Sequence, residues 1–132
     1  MIVVDSSALV AILLDEPERE VFARTISDAD RAVISVANAL EVVMVAVGKA
    51  GALGRQRAEI VISSAEVEVM ALQPRDWQIA VDAFMRFGRG RGHSAKLNFG
   101  ACMAYALAKS LDAPMLYKGN DFAKTDIRSA LA

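Results

Sequence analysis

Apolar residues along this chain come in short bursts separated by helix-spaced stretches. Ile2–Val4 is a β-branched run closed by Asp5. Ser6 and Ser7 are good caps for the apolar-periodic stretch Ala8 to Leu14, so the opening reads as strand, tight turn and helix. Pro17 stands where a second helix can start, carried on through Val21, Phe22 and Ile26. The polar Ser27–Arg31 segment then returns the chain to a strand, Ala32–Ile34. Ser35 can cap the next helix, whose Val36, Leu40, Val43, Met44 and Val47 follow helical spacing until Gly48 and Gly51 end it.

The alternation continues to the end of the chain. Arg55–Ser64 reads as helix, and Glu66–Leu72 as a strand in which Val67, Val69 and Ala71 alternate with polar residues. Pro74 precedes a helix from about Asp76 to Phe87. Gly88, Gly90 and Gly92 interrupt the pattern within a loop, Arg86–Lys96. Beyond it Phe99, Met103, Ala106, Leu107 and Ser110 share a helical face, Pro114–Tyr117 supplies a short apolar strand, and Gly119–Asn120 breaks it, with a final strand involving Ile127. Strands separated by helices predict an α/β fold with a mainly parallel sheet of four to five strands covered on both faces, because parallel pairing needs crossover connections. In such sheets ligands bind at the carboxyl ends of the strands.

Composition narrows the class. The 132 residues suffice for one core, and a single domain over 1–132 is expected. A hydrophobic share of 55% excludes intrinsic disorder. Fifteen basic against sixteen acidic residues give a net charge of −1, so any affinity for nucleic acid has to be local. One cysteine, Cys102, forms neither an internal disulfide nor a zinc cage and fits a reducing, cytoplasmic setting. Asp5 interrupts the apolar start with no basic segment before it, and the Val42–Val47 run is too short to span a bilayer, so no membrane association is expected.

Three acids stand out by position. Asp5 directly follows the first strand, at the carboxyl edge of the sheet, where capping the first helix is an equally ordinary role. Glu41 lies within the apolar Ala39–Val45 segment, where a charge without a partner is costly, and is expected to face a cleft or an ion. Asp121, with Asn120 beside it, follows the Pro114–Tyr117 strand and reaches the same edge, although both are also common turn residues. Asp126 is a weaker candidate. Acids converging from distant parts of the chain repel by roughly 4 kcal/mol per close pair at an effective dielectric near 20. A cation relieves this, and an all-oxygen cluster selects Mg²⁺ or Mn²⁺. Metal-assisted phosphodiester hydrolysis is the chemistry that follows. The segment Arg86–Lys96, with Arg86, Arg89, Arg91, His93 and Lys96, is the one concentrated basic stretch, suited to a nucleic-acid backbone or to a solvated loop. His93 alone fits a phosphate or loop hydrogen bond better than a metal. Tyr105, Met103 and Met44 read as core or partner contacts, and Val10, Leu13 and Leu14 fit either a core or an interface.

Taken together, Met1–Ala8, Glu41, Leu97-Asn98-Phe99-Gly100, Leu116–Phe122 and Thr125-Asp126-Ile127 resemble the PIN-domain family, specifically the VapC-type ribonuclease toxins of bacterial toxin–antitoxin pairs. The resemblance runs over nearly the whole chain and implies a three-layer α/β/α fold. It places Asp5 and Glu41 at the first two family acids and Asp121, or Asn120 beside it, at the last, with Ser7 matching a small hydroxyl residue near the metal. It further implies Mg²⁺- or Mn²⁺-dependent endonucleolytic cleavage of RNA, a homodimer or toxin–antitoxin hetero-oligomer, and inhibition by a cognate antitoxin at the active-site groove. One position departs. After Gly100 such toxins usually carry an Asp followed by Cys, whereas this chain has Ala101-Cys102. A carboxylate there, in the first turn of a helix, would be favoured by the helix dipole and could point at the shared cation.

Either the substitution was introduced to spare an expression host, which the retention of the other motif residues favours, or the chain is a natural degenerate member. The amino acid at codon 101 of the native gene decides between them. The competing reading is a module that binds RNA or antitoxin without cutting. A dehalogenase-type phosphatase would need a second Asp where Ser7 stands, and a P-loop enzyme a Gly-rich phosphate motif that is missing.

Overall fold

The computed structural model describes residues 1–131. Four strands, β1 (Ile2–Val4), β2 (Ala32–Ser35), β3 (Glu68–Met70) and β4 (Met115–Leu116), form one parallel sheet in the order β3-β2-β1-β4. Five helices connect them: α1 (Ser6–Leu13), α2 (Arg19–Asp28), α3 (Val36–Ser64), α4 (Pro74–Phe87) and α5 (Phe99–Leu111). Alternation along the strands divides the interior in two. Val3, Val33 and Met115 face a core shared with Phe87, Leu97, Tyr105 and Leu107, while Val4, Ile34 and Leu116 face a second core with Leu9, Phe22, Ile26 and Val42. The expected α/β/α layering results. The expected fifth strand around Ile127 does not form. Ile127 is buried, and the tail touches the sheet through a single parallel bridge between Met115 and Ser129.

Ser35 caps α3 as expected, its hydroxyl accepting from the Asn38 N–H at 3.0 Å. Gly48 does not end the helix. The break falls at Ala50 (φ −144°) and Gly51 (φ 57°, ψ −136°), a conformation open to glycine and hostile to side chains. Beyond it the chain doubles back, because a Cβ at Gly54 would run into the carbonyl of Ala46, whereas eight residues of straight helix would separate the two by about 12 Å. Val36–Ser64 is long and apolar enough to cross a bilayer by length and composition alone, yet folded back at Gly51 it presents no continuous span of that length.

The helical spacing that marks α3 lies on its outer side. Val36, Leu40, Met44 and Val47 are 51, 58, 62 and 43% exposed, and the buried positions of that limb are Asn38, Ala39, Val42 and Ala46. The limb is apolar nearly all round, so periodicity locates the helix without telling which face is covered. The expected Glu66–Leu72 strand shrinks to Glu68–Met70 for a related reason: β3 lies at the sheet edge, where Val67 is buried but Val69 is 47% exposed. On α5, Phe99 is 76% exposed although Ala104–Ala108 are all buried, so one face does not describe that helix either.

Candidate active site

The carboxyl ends of β1 and β4 meet the start of α1, the first limb of α3 and the start of α5. The junctions enclose a pocket of about 200 Å³ lined by Asp5, Ser6, Ser7, Glu41, Asn98, Ala101, Lys118, Asp121 and Phe122. Of the acids singled out in the sequence, Asp5, Glu41 and Asp121 are brought to it, together with Ser7 and the alanine at 101. Asn120 is exposed and outside the lining, so of the two neighbours Asp121 is the one at the pocket. Asp126 is elsewhere, accepting from the Tyr105 hydroxyl at 2.7 Å and the Lys109 ammonium at 3.0 Å. Partial burial works against its charge, but those two donors hold its pKa below the usual carboxylate value. Burial, followed by the bond to Asp126, drives the Tyr105 phenol up to about 12.

Asp5 does two things at once. It, rather than Ser6 or Ser7, is the N-cap of α1, accepting from the Ser7 N–H at 3.1 Å, and it is a wall of the pocket. Its own N–H is fixed by the Leu116 carbonyl at 2.9 Å, which ties the cap to β4. Burial pushes its carboxyl upward, the hydrogen bonds from Ser7 pull it back, and the charge of Glu41 adds to the rise, leaving the pKa raised from an ordinary 3.8 to about 6. Ser7 is itself held, its Oγ accepting from the Lys118 N–H at 2.9 Å. The Lys118 ammonium pairs with Glu16 at 3.0 Å and Glu18 at 3.3 Å, and these bonds, Glu16 first, raise its pKa.

Glu41 is seated by groups that sequence reasoning passed over. Asn38 Nδ2 donates to Glu41 Oε1 at 2.8 Å and to the Gly100 carbonyl at 2.9 Å, while Asn38 Oδ1 accepts from the Ser35 hydroxyl. Gly100 has no side chain because the Glu41 carboxylate fills the space a Cβ would take. Asn98 caps α5, accepting from the Ala101 N–H at 2.9 Å. Asn38 was findable, since a residue three before a helical glutamate shares its face. Asn98 is likewise the residue three before Ala101, in the usual place of a cap.

Asp5 and Glu41 line the same pocket and offer it hard carboxylate oxygens. That pair suits Mg²⁺ or Mn²⁺, which keep several waters and need few protein ligands. Among the described residues no group of three or more His, Cys, Asp or Glu converges closely enough to hold one ion, and Ala101 is part of the pocket lining.

The basic stretch is a loop closed at its base by backbone hydrogen bonds. Leu97 N–H bonds to the Phe87 carbonyl at 2.8 Å and Arg89 N–H to the Leu97 carbonyl at 2.9 Å, closing its base. Arg89, Gly90, Gly92, His93, Ser94 and Lys96 line a hollow of about 740 Å³. Arg91 is exposed outside it, and the Arg86 guanidinium lies 4.5 Å over the Phe87 ring. His93 serves the loop, its Nδ1 accepting from the Ala95 N–H at 3.0 Å and its ring meeting Phe87 edge-on at 5.0 Å.

The family profile described as PIN domain matches residues 2–128. The chain is 39% identical over 129 residues to VapC ribonuclease Mb0625 of Mycobacterium bovis, covering 98% of this chain and 97% of that protein. Ribonuclease VapC28 of Mycobacterium tuberculosis matches over the same length at the same identity. Among solved structures, the sarcin-ricin loop cleaving toxin VapC20 of Mycobacterium tuberculosis superposes with a TM-score of 0.77 at 15% identity, covering 96% of both chains. A toxin–antitoxin complex from Klebsiella pneumoniae gives a chain matching with a TM-score of 0.71 at 15% identity, over 93% of this chain and 91% of that one.

Proposed function

The chain belongs to the PIN-domain family, among the VapC ribonucleases of toxin–antitoxin systems, and from that premise we propose that it is a Mg²⁺- or Mn²⁺-dependent endoribonuclease toxin, weakened by Ala101 and neutralised by a cognate antitoxin. The observation that carries this reading is the pairing of Asp5 and Glu41 in a pocket at the strand ends, with Asp121 on the same lining. When bound, the divalent cation supplies an activated water and neutralises charge growing on the phosphate. Asp5 and Glu41 would hold it, with Asp121 nearby. The residues of the chain prepare that place. The bond from Ser7 keeps Asp5 on the pocket wall, Lys118 fixes Ser7 from the β4 side, and Arg89, His93 and Lys96 offer the RNA backbone a polar and cationic track. Arg86 and Arg91 add charge around it. Lys96 of the track stands two residues before Asn98 of the pocket lining.

Partners are supported by uncovered apolar surface. Besides the outer face of α3, Trp77, Val81, Phe84, Phe99 and Met103 line an apolar hollow of about 350 Å³ between α4 and α5. A homodimer or a toxin–antitoxin hetero-oligomer would cover such surface. One PIN domain over 1–132, acting in the cytoplasm and away from membranes, completes the proposal.

Position 101 favours a second reading, a PIN module that binds RNA or antitoxin without cutting, because no three-acid group forms among the described residues. Metal-dependent cleavage of a small-RNA pool separates the two. Under the toxin reading Ala101→Asp cuts far faster than the chain itself, and adding Asp5→Asn abolishes cutting. No cleavage by either protein supports the binding module. Equal cleavage by both removes position 101 from the site.

A further inference from the structure

Asn38 sits in the first turn of α3, three residues after Ser35 and three before Glu41, and is wholly shielded from solvent. Its amide is engaged on both sides. Oδ1 takes the Ser35 hydroxyl, one Nδ2 hydrogen goes to the Gly100 carbonyl at 2.9 Å, and the other goes to Glu41 Oε1 at 2.8 Å. Asn and Gln are the neutral side chains that offer two N–H donors and an acceptor together; a serine has one donor and an ionised aspartate none. A buried asparagine with a purely architectural task could satisfy both donors on backbone carbonyls. Here one of the two goes to a carboxylate of the acidic pocket.

Glu41 needs such a tie, since a free glutamate samples several rotamers and only some of them face Asp5. Gly100 supplies the other constraint, presenting bare backbone where the carboxylate lies. Asn38 thereby fastens α5 to α3 at the point where both contribute to the pocket. Resting on the metal-dependent reading above, we infer that Asn38 is a positioning residue for that site. It commits Glu41 Oε1 to the fold and leaves Oε2, which no donor among the described residues occupies, for the cation.

The test is Mn²⁺ binding to the full chain, followed by the electron paramagnetic resonance of free Mn²⁺, for the unsubstituted protein, Asn38→Leu and Asp5→Asn, with thermal unfolding to verify that each is folded. Asn38→Leu keeps the branched shape, with somewhat more bulk, and removes the donors, and Asn38→Ala replaces it should the leucine prevent folding. Loss of an orienting partner of this kind weakens metal affinity about 10–100-fold, and that loss in a folded variant is the expected result. A Mn²⁺ affinity within twofold of the unsubstituted chain overturns the inference. If the unsubstituted chain binds no Mn²⁺, or Asp5→Asn binds it equally well, the metal reading itself fails. Metal-free crystal structures then judge Asn38 separately: a Glu41 carboxylate that leaves Gly100 in Asn38→Leu upholds its positioning role, and one that stays in place overturns it.

Discussion

Replacing Asp5 by Asn should make the metal-free protein more stable while removing its function. The carboxyl is 6% exposed and its pKa is raised from 3.8 to about 6, chiefly by burial and further by Glu41. A raised acid pKa means that the folded state holds the proton more tightly than the unfolded one. Stability from this group is therefore complete below about pH 4 and is lost as pH climbs through about 6. A shift of about two units corresponds to roughly 3 kcal/mol of penalty on the ionised form at pH 8, falling to about 1 kcal/mol at pH 4.5. Asparagine removes the charge but keeps an oxygen for the Ser7 N–H, and it caps helices as well as aspartate does. Urea unfolding in EDTA should show Asp5→Asn gaining about 2–3 kcal/mol at pH 8 and well under half of that at pH 4.5. A gain that is absent at pH 8, or the same at both values, would refute the claim that burial and Glu41 penalise this charge.

Two further substitutions test other parts of the fold. Gly54→Ala drives a methyl into the Ala46 carbonyl where the limbs of α3 pack, and should cost at least about 1–3 kcal/mol in chemical denaturation, while Gly48→Ala, which meets nothing within 4 Å, should cost nothing. Met44→Lys on the outer face of α3 should leave the unfolding free energy within about 0.5 kcal/mol of the unsubstituted chain while lowering any self-association seen by sedimentation, because its side chain is 62% exposed.

The order of elements was legible because short β-branched runs, caps and glycines punctuate the chain. Ser35 fulfilled its predicted capping role, and the strands at Ile2, Ala32 and Met115 formed close to where the pattern put them. The outer face of α3 was not legible: Val36, Leu40 and Met44 have the spacing of a core stripe, and it is packing against the sheet and α1 that turns Val42 and Ala46 inward instead. Of the site, charge isolated among apolar neighbours pointed to Glu41, and position after a strand pointed to Asp5 and Asp121. The polar groups that hold these acids carry no charge, so burial did not flag them. Spacing alone places Asn38 on the face of Glu41 and Asn98 at a cap, but the tie from Asn38 to Gly100, which joins residues 62 apart in sequence, exists only once α3 and α5 meet. Asp126, the weaker candidate from the sequence, is bonded instead to Tyr105 and Lys109.

The sheet order makes the pocket depend on distant parts of the chain. β1 lies between β2 and β4, and its far neighbour is the last strand of the chain, so Asp5 gains its bond to Leu116 only after more than a hundred residues have followed it. Contacts this distant in sequence carry a larger loop-closure cost than the local contacts within helices. A nascent chain that has emerged only as far as α5 carries Asp5 and Glu41 but lacks Lys118, Asp121 and the strand that holds them. The acidic centre thus depends on β4 and the segment after it, and a chain interrupted before them has no complete pocket.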